Sequence, residues 1–205
     1  MIKYGRLALL AAVLSLTPVS QALCAGDVLF LLGQRNLDSD AEPVEDQDAY
    51  GVFGFFRQDD WPISFSMGFE SSDSGEVNIG GIAGTSIGNV EVKGEITEGY
   101  IGVGKVFEKS GKPIRPYATG GITVLGIDVT YTELTTDTDF DDDDTVIAPY
   151  IGGGVFWRLG KRFDVGAGIR YVFFAETTLQ PFEILAPQEA DINFLQYHAL
   201  IGWGW

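Results

Sequence analysis

The residues of this chain able to do chemistry are few, and their types limit what that chemistry could be. There is one histidine, His198, in 205 residues. A serine or threonine nucleophile needs a base beside it, so acyl-transfer chemistry of that kind would have to run through His198. The acidic run "DTDFDDDD" (137–144) opens like a calcium loop, with Asp137, Asp139 and Asp141 at alternate positions. It then departs from that pattern, because Asp142 stands where the sharp-turn glycine is needed and Ala148 where a bidentate glutamate should be. It is read as a solvated, mutually repelling loop tip, with loose divalent-cation binding that bridges to lipid phosphates as the alternative. The single cysteine, Cys24, cannot form an internal disulfide. No catalytic, cofactor-binding or metal-binding residue is assigned, and no cofactor is expected.

The elements that would position these residues begin after a leader. Lys3 and Arg6, the apolar "LALLAAVLSL" (7–16) and the small-residue stretch from Pro18 to Ala25 make a secretory signal, 1–25, with cleavage after Ala22 or Ala25. The residues before Cys24 are Gln21, Ala22 and Leu23, which do not fit a lipidation signal. Without Lys3 and Arg6, 29 acidic residues face eleven cations, so the net charge moves from -16 to -18. That balance argues against a nucleic-acid partner, since phosphate binding needs clustered basic side chains.

Residues 26–205 form one expected domain. No stretch in it approaches the roughly 18 to 20 consecutive apolar residues of a helical span. Instead, runs rich in Gly, Val, Ile, Phe and Tyr alternate with period two at about 27–37, 48–57, 62–71, 96–108, 113–131, 146–158, 162–176 and 194–205. The connections alternate as well: 58–61, 109–112 and 159–161 are tight, whereas 38–47, 72–95, 132–145 and 177–193 are long. Short turns at one end and long loops at the other are the pattern of an antiparallel up-and-down barrel crossing an outer membrane. In 162–176, Phe163, Val165, Ala167, Ile169, Tyr171 and Phe173 share one face, opposite Asp164, Gly166, Gly168, Arg170 and Glu176. In 62–71, Ile63, Phe65, Met67 and Phe69 oppose Ser64, Ser66, Gly68 and Glu70. The apolar faces are assigned to lipid. The glycine and polar faces then fill an interior that eight strands make only just wide enough for side chains.

"YIGVG" (100–104) and "YIGGG" (150–154) place Tyr100 and Tyr150 inside beside glycines. A β-bulge is expected near Gly120 and Gly121, where apolar Leu125, Ile127, Val129 and Tyr131 follow on the face begun by Arg115 and Tyr117. Glu70, Glu98, Asp164, Arg170 and Glu176 are inward candidates, with Arg115 and Arg158 near the lower rim. Ion pairing that plugs the lumen is favoured over a pore lined by selectivity charges. His198 falls on the inner face, and the neighbouring 27–37 and 162–176 contain no serine. It is expected to be an interior, hydrogen-bonded histidine. The 72–95 segment is either a hairpin rising above the membrane, with edges open to β-augmentation, or a glycine-rich cap.

Charge and aromatics orient the barrel. Eight of the eleven cations (Arg57, Lys105, Lys109, Lys112, Arg115, Arg158, Lys161, Arg162) lie at the short turns, while acids fill the long loops. Trp61, Trp157, Trp203 and Trp205, with Phe107 and Phe163, fall at the short-turn end. Tyr50, Phe69, Tyr131, Phe173 and Tyr197 fall at the other, giving two interfacial girdles.

The leader, eight alternating strands, four long loops and the aromatic final residue Trp205 resemble the small outer-membrane β-barrel proteins of the OmpX and opacity-protein type. The resemblance implies an all-β, eight-stranded antiparallel transmembrane barrel of Gram-negative bacteria, with short periplasmic turns and long extracellular loops. It implies a surface antigen with a structural or adhesin-like role played through acidic loops. Lipid-A or phospholipid modification and a narrow, porin-like solute channel are the alternatives. Expected partners are outer-membrane lipids and lipopolysaccharide, the assembly machinery, a host or surface protein, and loosely held divalent cations. The alternation of Tyr197, Ala199, Ile201, Trp203 and Trp205 resembles the C-terminal strand that such machinery recognises. Trp205→Ser is therefore expected to lower the amount of assembled protein, measured as loss of the folded, heat-modifiable gel band, before it alters any activity.

Overall fold

The computed structural model describes residues 25–37, 45–58, 61–79, 90–108, 112–134, 138–179 and 188–205. The leader with Cys24, residues 38–44, the tip of loop two at 80–89 and Asp137 lie outside them. The strands are β1 (Ala25–Leu37), β2 (Asp46–Arg57), β3 (Ser64–Asp73), β4 (Val77–Ile79), β5 (Val90–Val106) and β6 (Ile114–Glu133). They continue as β7 (Thr138–Leu159), β8 (Phe163–Val172), β9 (Glu176–Leu179), β10 (Gln188–Asp191) and β11 (Phe194–Gly204). Eight of them, β1, β2, β3, β5, β6, β7, β8 and β11, pair in sequence order as antiparallel neighbours, and β1 with β11 completes the circle. The seam runs from Asp27↔Gly204 to Leu37↔Phe194 and is extended by Gly26 and Trp205, whose main chains exchange bonds of 3.2 and 2.9 Å. Closure leaves no main-chain edge in the hydrocarbon, which no water would satisfy.

Alternation sorts the side chains. Phe30, Leu32, Phe65, Met67, Ile101, Val103, Ile122, Val124, Ile151, Ile169 and Ile201 are exposed on the outer wall, an apolar band. Asp27, Leu29, Leu31, Arg35, Phe53, Phe55, Glu70, Glu98, Tyr100 and Tyr150 are buried inside. Glycine is needed where interior rings come close. A Cβ on Gly68 would lie 2.2 Å from the Tyr100 ring, and one on Gly168 2.1 Å from the Tyr117 hydroxyl. At the tight β7–β8 turn, Gly160 takes a φ of 71°, open to glycine at little cost.

Several expectations change. No bulge interrupts β6: its pairing with β5 from Val90↔Glu133 to Val106↔Tyr117, and with β7 from Ile114↔Trp157 to Glu133↔Thr138, runs without a slip. The apolar residues 125–131 stay on the inner face because the upper interior is apolar. Leu125, Ile127 and Val129 are buried in one cluster with Val90, Val92 and Val146. Tyr131 packs against that cluster and is not part of the outer girdle. The acidic run is not a loop tip, since Thr138 to Asp144 lie within β7, paired to β6 from Ile127 to Glu133. Strands must match in length to satisfy each other's main chain, so a β6 that reaches Glu133 requires a β7 that starts at Thr138. Loop two follows its hairpin alternative, with β4 pairing Val77↔Val92 to Ile79↔Val90 on a lengthened β5. Loop four contains a separate two-stranded sheet, β9 with β10, and places Glu176 exposed rather than inward.

Gly68→Ala is expected to lower folded-state stability by roughly 1–3 kcal/mol, because the Tyr100 ring must leave its rotamer. Urea unfolding in detergent micelles or liposomes, read by tryptophan fluorescence, measures it.

Candidate functional site

Two regions of the barrel concentrate polar groups: its interior and the sheet that rises beyond its apolar band. The interior is built in layers. At the periplasmic mouth, alternation on β1, β6, β7 and β8 turns Asp27, Arg115, Arg158 and Asp164 toward one another. Arg115 donates to both Asp27 oxygens at 3.0 Å, and Arg158 donates at 2.7 Å to Asp27 and to Asp164. Glu108 also accepts from Arg115.

Above this lies an aromatic layer. Tyr117 and Phe156 stack at 4.5 Å, Phe55 meets Tyr117 edge-on at 5.5 Å, and Tyr100 meets Tyr150 at 5.4 Å. His198 sits here, buried between Gly33 and Gly168 across the seam, with its Nε2 3.2 Å from the Tyr117 hydroxyl. It is the interior, hydrogen-bonded histidine the sequence indicated. The nearby Ser66 hydroxyl is engaged with Thr119 and Tyr150 at 2.9 and 3.3 Å. Among the described residues no serine or threonine hydroxyl contacts His198. The void between these rings is about 10 Å³, room for one water at most.

The next layer holds four fully or almost fully buried charges. Arg35 and Arg170 are 0% and 4% exposed, Glu70 and Glu98 0%. The Glu98 Oε2 accepts from Arg35 at 2.6 Å and from Arg170 at 2.7 Å, while its Oε1 accepts from Thr123 at 2.6 Å. Arg170 also reaches Glu70 at 3.1 Å. Gln196 bridges the two sides, accepting from Arg170 and donating to Glu70, both at 2.6 Å. Arg35 donates to Ser72 at 3.0 Å, and Ser72 passes a bond to Gln47 at 2.6 Å. The guanidinium of Arg35 lies over Phe194 at 4.2 Å and that of Arg170 over Tyr100 at 4.3 Å. Two cations and two anions cancel. That is the condition under which ionised groups persist away from water, because an unpaired one there costs several kcal/mol.

Above the charges, Leu37, Leu125, Ile127, Val129, Val146, Val172, Ala175 and Ile192 are buried together. The β9–β10 hairpin contributes to this cap, with the Thr177 hydroxyl donating to Asp144 Oδ2 at 2.6 Å. Each of these layers is filled by side chains of the described residues. Glu70, Glu98, Asp164, Arg170, Arg115 and Arg158 therefore lie where the sequence put them. Asp27, Arg35, Gln47, Ser72 and Gln196 complete the networks without having been foreseen. The signal was present in β1: Asp27 and Arg35 share a parity with Leu29 and Leu31, and two ionisable residues on one face mark it as interior.

The second region is the sheet β4–β5–β6–β7. On the outer wall of β6, Ile122 and Val124 give way to Asp128, and on β7, Ile147 gives way to Asp143 and Asp141. Asp128 stands directly opposite Asp143. Partial burial, and then the charges of Asp143 and Asp141, push the Asp128 carboxyl above its ordinary range. Asp141 accepts a 2.9 Å bond from Thr130. No cluster of three or more His, Cys, Asp or Glu among the described residues has metal-holding geometry.

The chain matches the model of the outer membrane protein beta-barrel domain over residues 7–202. No curated protein matches it. Among solved structures it is similar to the attachment invasion locus protein of Yersinia pestis, crystallised with the heparin analogue sucrose octasulfate. That match has 8% identity and a TM-score of 0.55, covering 88% of this chain and 98% of that one. Neisserial surface protein A matches at 10% identity and TM-score 0.53, covering 87% and 95%. A major outer membrane protein from Thermus thermophilus matches at 10% identity and TM-score 0.58, covering 88% and 99%. At these identities the likeness is one of fold.

Glu98→Gln leaves Arg35 and Arg170 sharing Glu70 alone and is expected to cost about 3–5 kcal/mol. Glu98→Gln combined with Arg35→Gln removes one charge of each sign and should lose less than the sum of the single variants. Urea unfolding of the three variants measures both effects.

Proposed function

Because the chain belongs to the outer membrane protein beta-barrel domain family and is an integral outer-membrane β-barrel, we propose that it works as a sealed surface platform. On this reading it neither conducts nor catalyses, and its extracellular sheet is the interacting part. The observation that carries the reading is the filled interior: two ion-paired layers, an aromatic layer between them and an apolar cap above. A channel needs a wetted path, and a lipid-modifying enzyme of the serine type needs a nucleophile within reach of its base. His198 has Tyr117 instead.

The sheet supports the interaction half of the reading. Extending β5, β6 and β7 beyond the apolar band adds no apolar surface to face the lipid, yet it holds an ordered and acidic surface away from the lipid. The Yersinia protein was crystallised with a sulfated ligand. The carboxylates on the sheet of this chain favour a ligand of the opposite sign. Lipopolysaccharide phosphates would meet these carboxylates only through bridging divalent cations.

Purified protein in planar bilayers is expected to give no resolved single-channel conductance; stable ohmic steps would refute the sealed lumen. Replacing the β6–β7 hairpin above Gly126 and Thr145 by a tight turn is expected to abolish binding of the protein to cell surfaces or serum proteins while the heat-modifiable barrel persists. Retained binding would move the interaction elsewhere.

A further inference from the structure

The eight barrel strands are staggered as well as closed. A row of paired residues that leaves β5 at Lys105 passes Ala118, Gly153, Tyr197 and Asp48 and returns to β5 at Glu95, ten residues toward the extracellular end. With eight strands, that stagger tilts them by about 40° to the barrel axis. Rows therefore climb around the wall, and row mates do not lie at one depth. Lys105 is level with the parts of β6 and β7 around Pro116 and Val155, one outward position above Trp157.

That depth sets Lys105 apart. In the described strands it is the one charged residue of outward parity below the extracellular carboxylates, on a wall that otherwise shows Ile63, Phe65, Val103, Ile114, Trp157 and Trp203. A lysine on a lipid-facing wall is costly within the hydrocarbon and tolerated where its ammonium reaches the interface. Here the ammonium lies over the Phe107 ring, 5.7 Å from its centroid, and Phe107 is the next outward residue toward the periplasm. No carboxylate among the described residues pairs with it. The exposed carboxylate of the lower rim, Glu108, is bound to Arg115, and Asp27 and Asp164 are buried in the mouth. Lys112 and Lys161, both exposed, lie further down at the turns.

Lys105 and Phe107 on β5 stand across β6 from Val155 and Trp157 on β7, roughly 10 Å away at two strand spacings. Between them β6 presents only Pro116, Ala118 and Gly120, so the floor is low from the aromatic girdle up into the hydrocarbon. Trp157 is 55% exposed, and its indole N–H can donate to an oxygen at the interface. A cation at the lower end of a shallow trough walled by aromatic rings matches one kind of molecule. The phosphate of a lipid meets the ammonium, a glycerol or ester oxygen meets the indole, and an acyl chain lies along the floor. A zwitterionic headgroup would bring an ammonium of its own, and Glu108, the exposed carboxylate here, is already taken by Arg115. We propose that the outer wall at Lys105, Phe107 and Trp157 holds one anionic phospholipid of the periplasmic leaflet. The lower rim is thereby fastened to a headgroup, while the carboxylates of the upper rim stay in water. The site stands whether or not the extracellular sheet has a partner.

The test uses the full-length folded protein in detergent micelles, titrated with phosphatidylglycerol or phosphatidylethanolamine and read by native mass spectrometry. One phosphatidylglycerol is expected to be retained about fivefold more tightly than phosphatidylethanolamine, the share of one lysine at an anionic surface. Equal retention of the two lipids by the unaltered protein overturns the anionic headgroup. Lys105→Gln, an exposed change expected to keep the heat-modifiable gel band, should erase the preference. Trp157→Phe keeps the ring without the N–H and should weaken both lipids alike. Lys112→Gln with Lys161→Gln removes two rim cations outside the trough and should leave the preference in place. A loss as large as that of Lys105→Gln would reduce the site to the general charge of the rim and overturn it. Position is read separately in phosphatidylcholine vesicles, where phosphatidylglycerol brominated on its acyl chains should quench tryptophan fluorescence more than brominated phosphatidylethanolamine. Trp157→Phe should remove that excess; an excess that survives the substitution places the lipid elsewhere on the wall and refutes the site.

Discussion

Eight strands closed on one another enclose a space no wider than the side chains that fill it, and most of what is described above follows from that narrowness. Water cannot be relied on inside, so every charge turned inward must find its opposite across a few ångströms. Glu98 shows how tight the condition is. One carboxylate takes a guanidinium from β1, another from β8 and a hydroxyl from β6, and so ties together strands that are not neighbours in the sheet. The same narrowness places glycine wherever a ring must cross, as Gly68 does under Tyr100. Backbone pairing closes the wall and fixes which strands face each other, and the cross-lumen ion pairs tie those facing strands together.

The outline of this architecture was legible because a period of two leaves little freedom. Once an alternating run is identified, parity assigns each side chain to lipid or lumen, and Tyr100, Tyr150, Glu70, Arg170 and His198 all fell correctly. What escaped were features that composition disguises. β1 is apolar on both faces, so the parity of Asp27 and Arg35 carried little weight although it was the decisive signal. The acidic run resembled a solvated loop because like charges repel, yet pairing with β6 outweighs that repulsion and draws Thr138 to Asp144 into a ladder. The supposed bulge was an inference from residue type; Leu125 to Tyr131 are apolar on the inner face because the cap is apolar, and the backbone never changes register. The turn at Phe174 had no signature, since nothing in a phenylalanine announces a positive φ.

The two polar regions obey opposite rules. Inside, each ionic layer sets carboxylates against guanidiniums, and in the layer of Arg35, Arg170, Glu70 and Glu98 the two signs cancel. On the outer face of β6 and β7 beyond the apolar band, the charged residues Asp128, Asp141 and Asp143 are all acidic. A protein that only needed to be stable would neutralise those carboxylates or omit the strands that carry them. That contrast, within one uninterrupted hairpin, separates the part of the chain that holds the structure from the part that faces other molecules.

The unbroken register of β6 and β7 has one more consequence. Because the same outward face runs without a kink from lipid to water, the boundary of the hydrophobic band is written only in residue type, at the step from Val124 to Asp128 and from Ile147 to Asp143. The hairpin is therefore a ruler whose zero mark is chemical and can be moved. A thicker bilayer would have to tilt the barrel, thin locally or desolvate the paired carboxylates of Asp128 and Asp143. The depth at which this protein rides in its membrane is thus set on one side of the barrel by two aspartates facing each other across a strand pair.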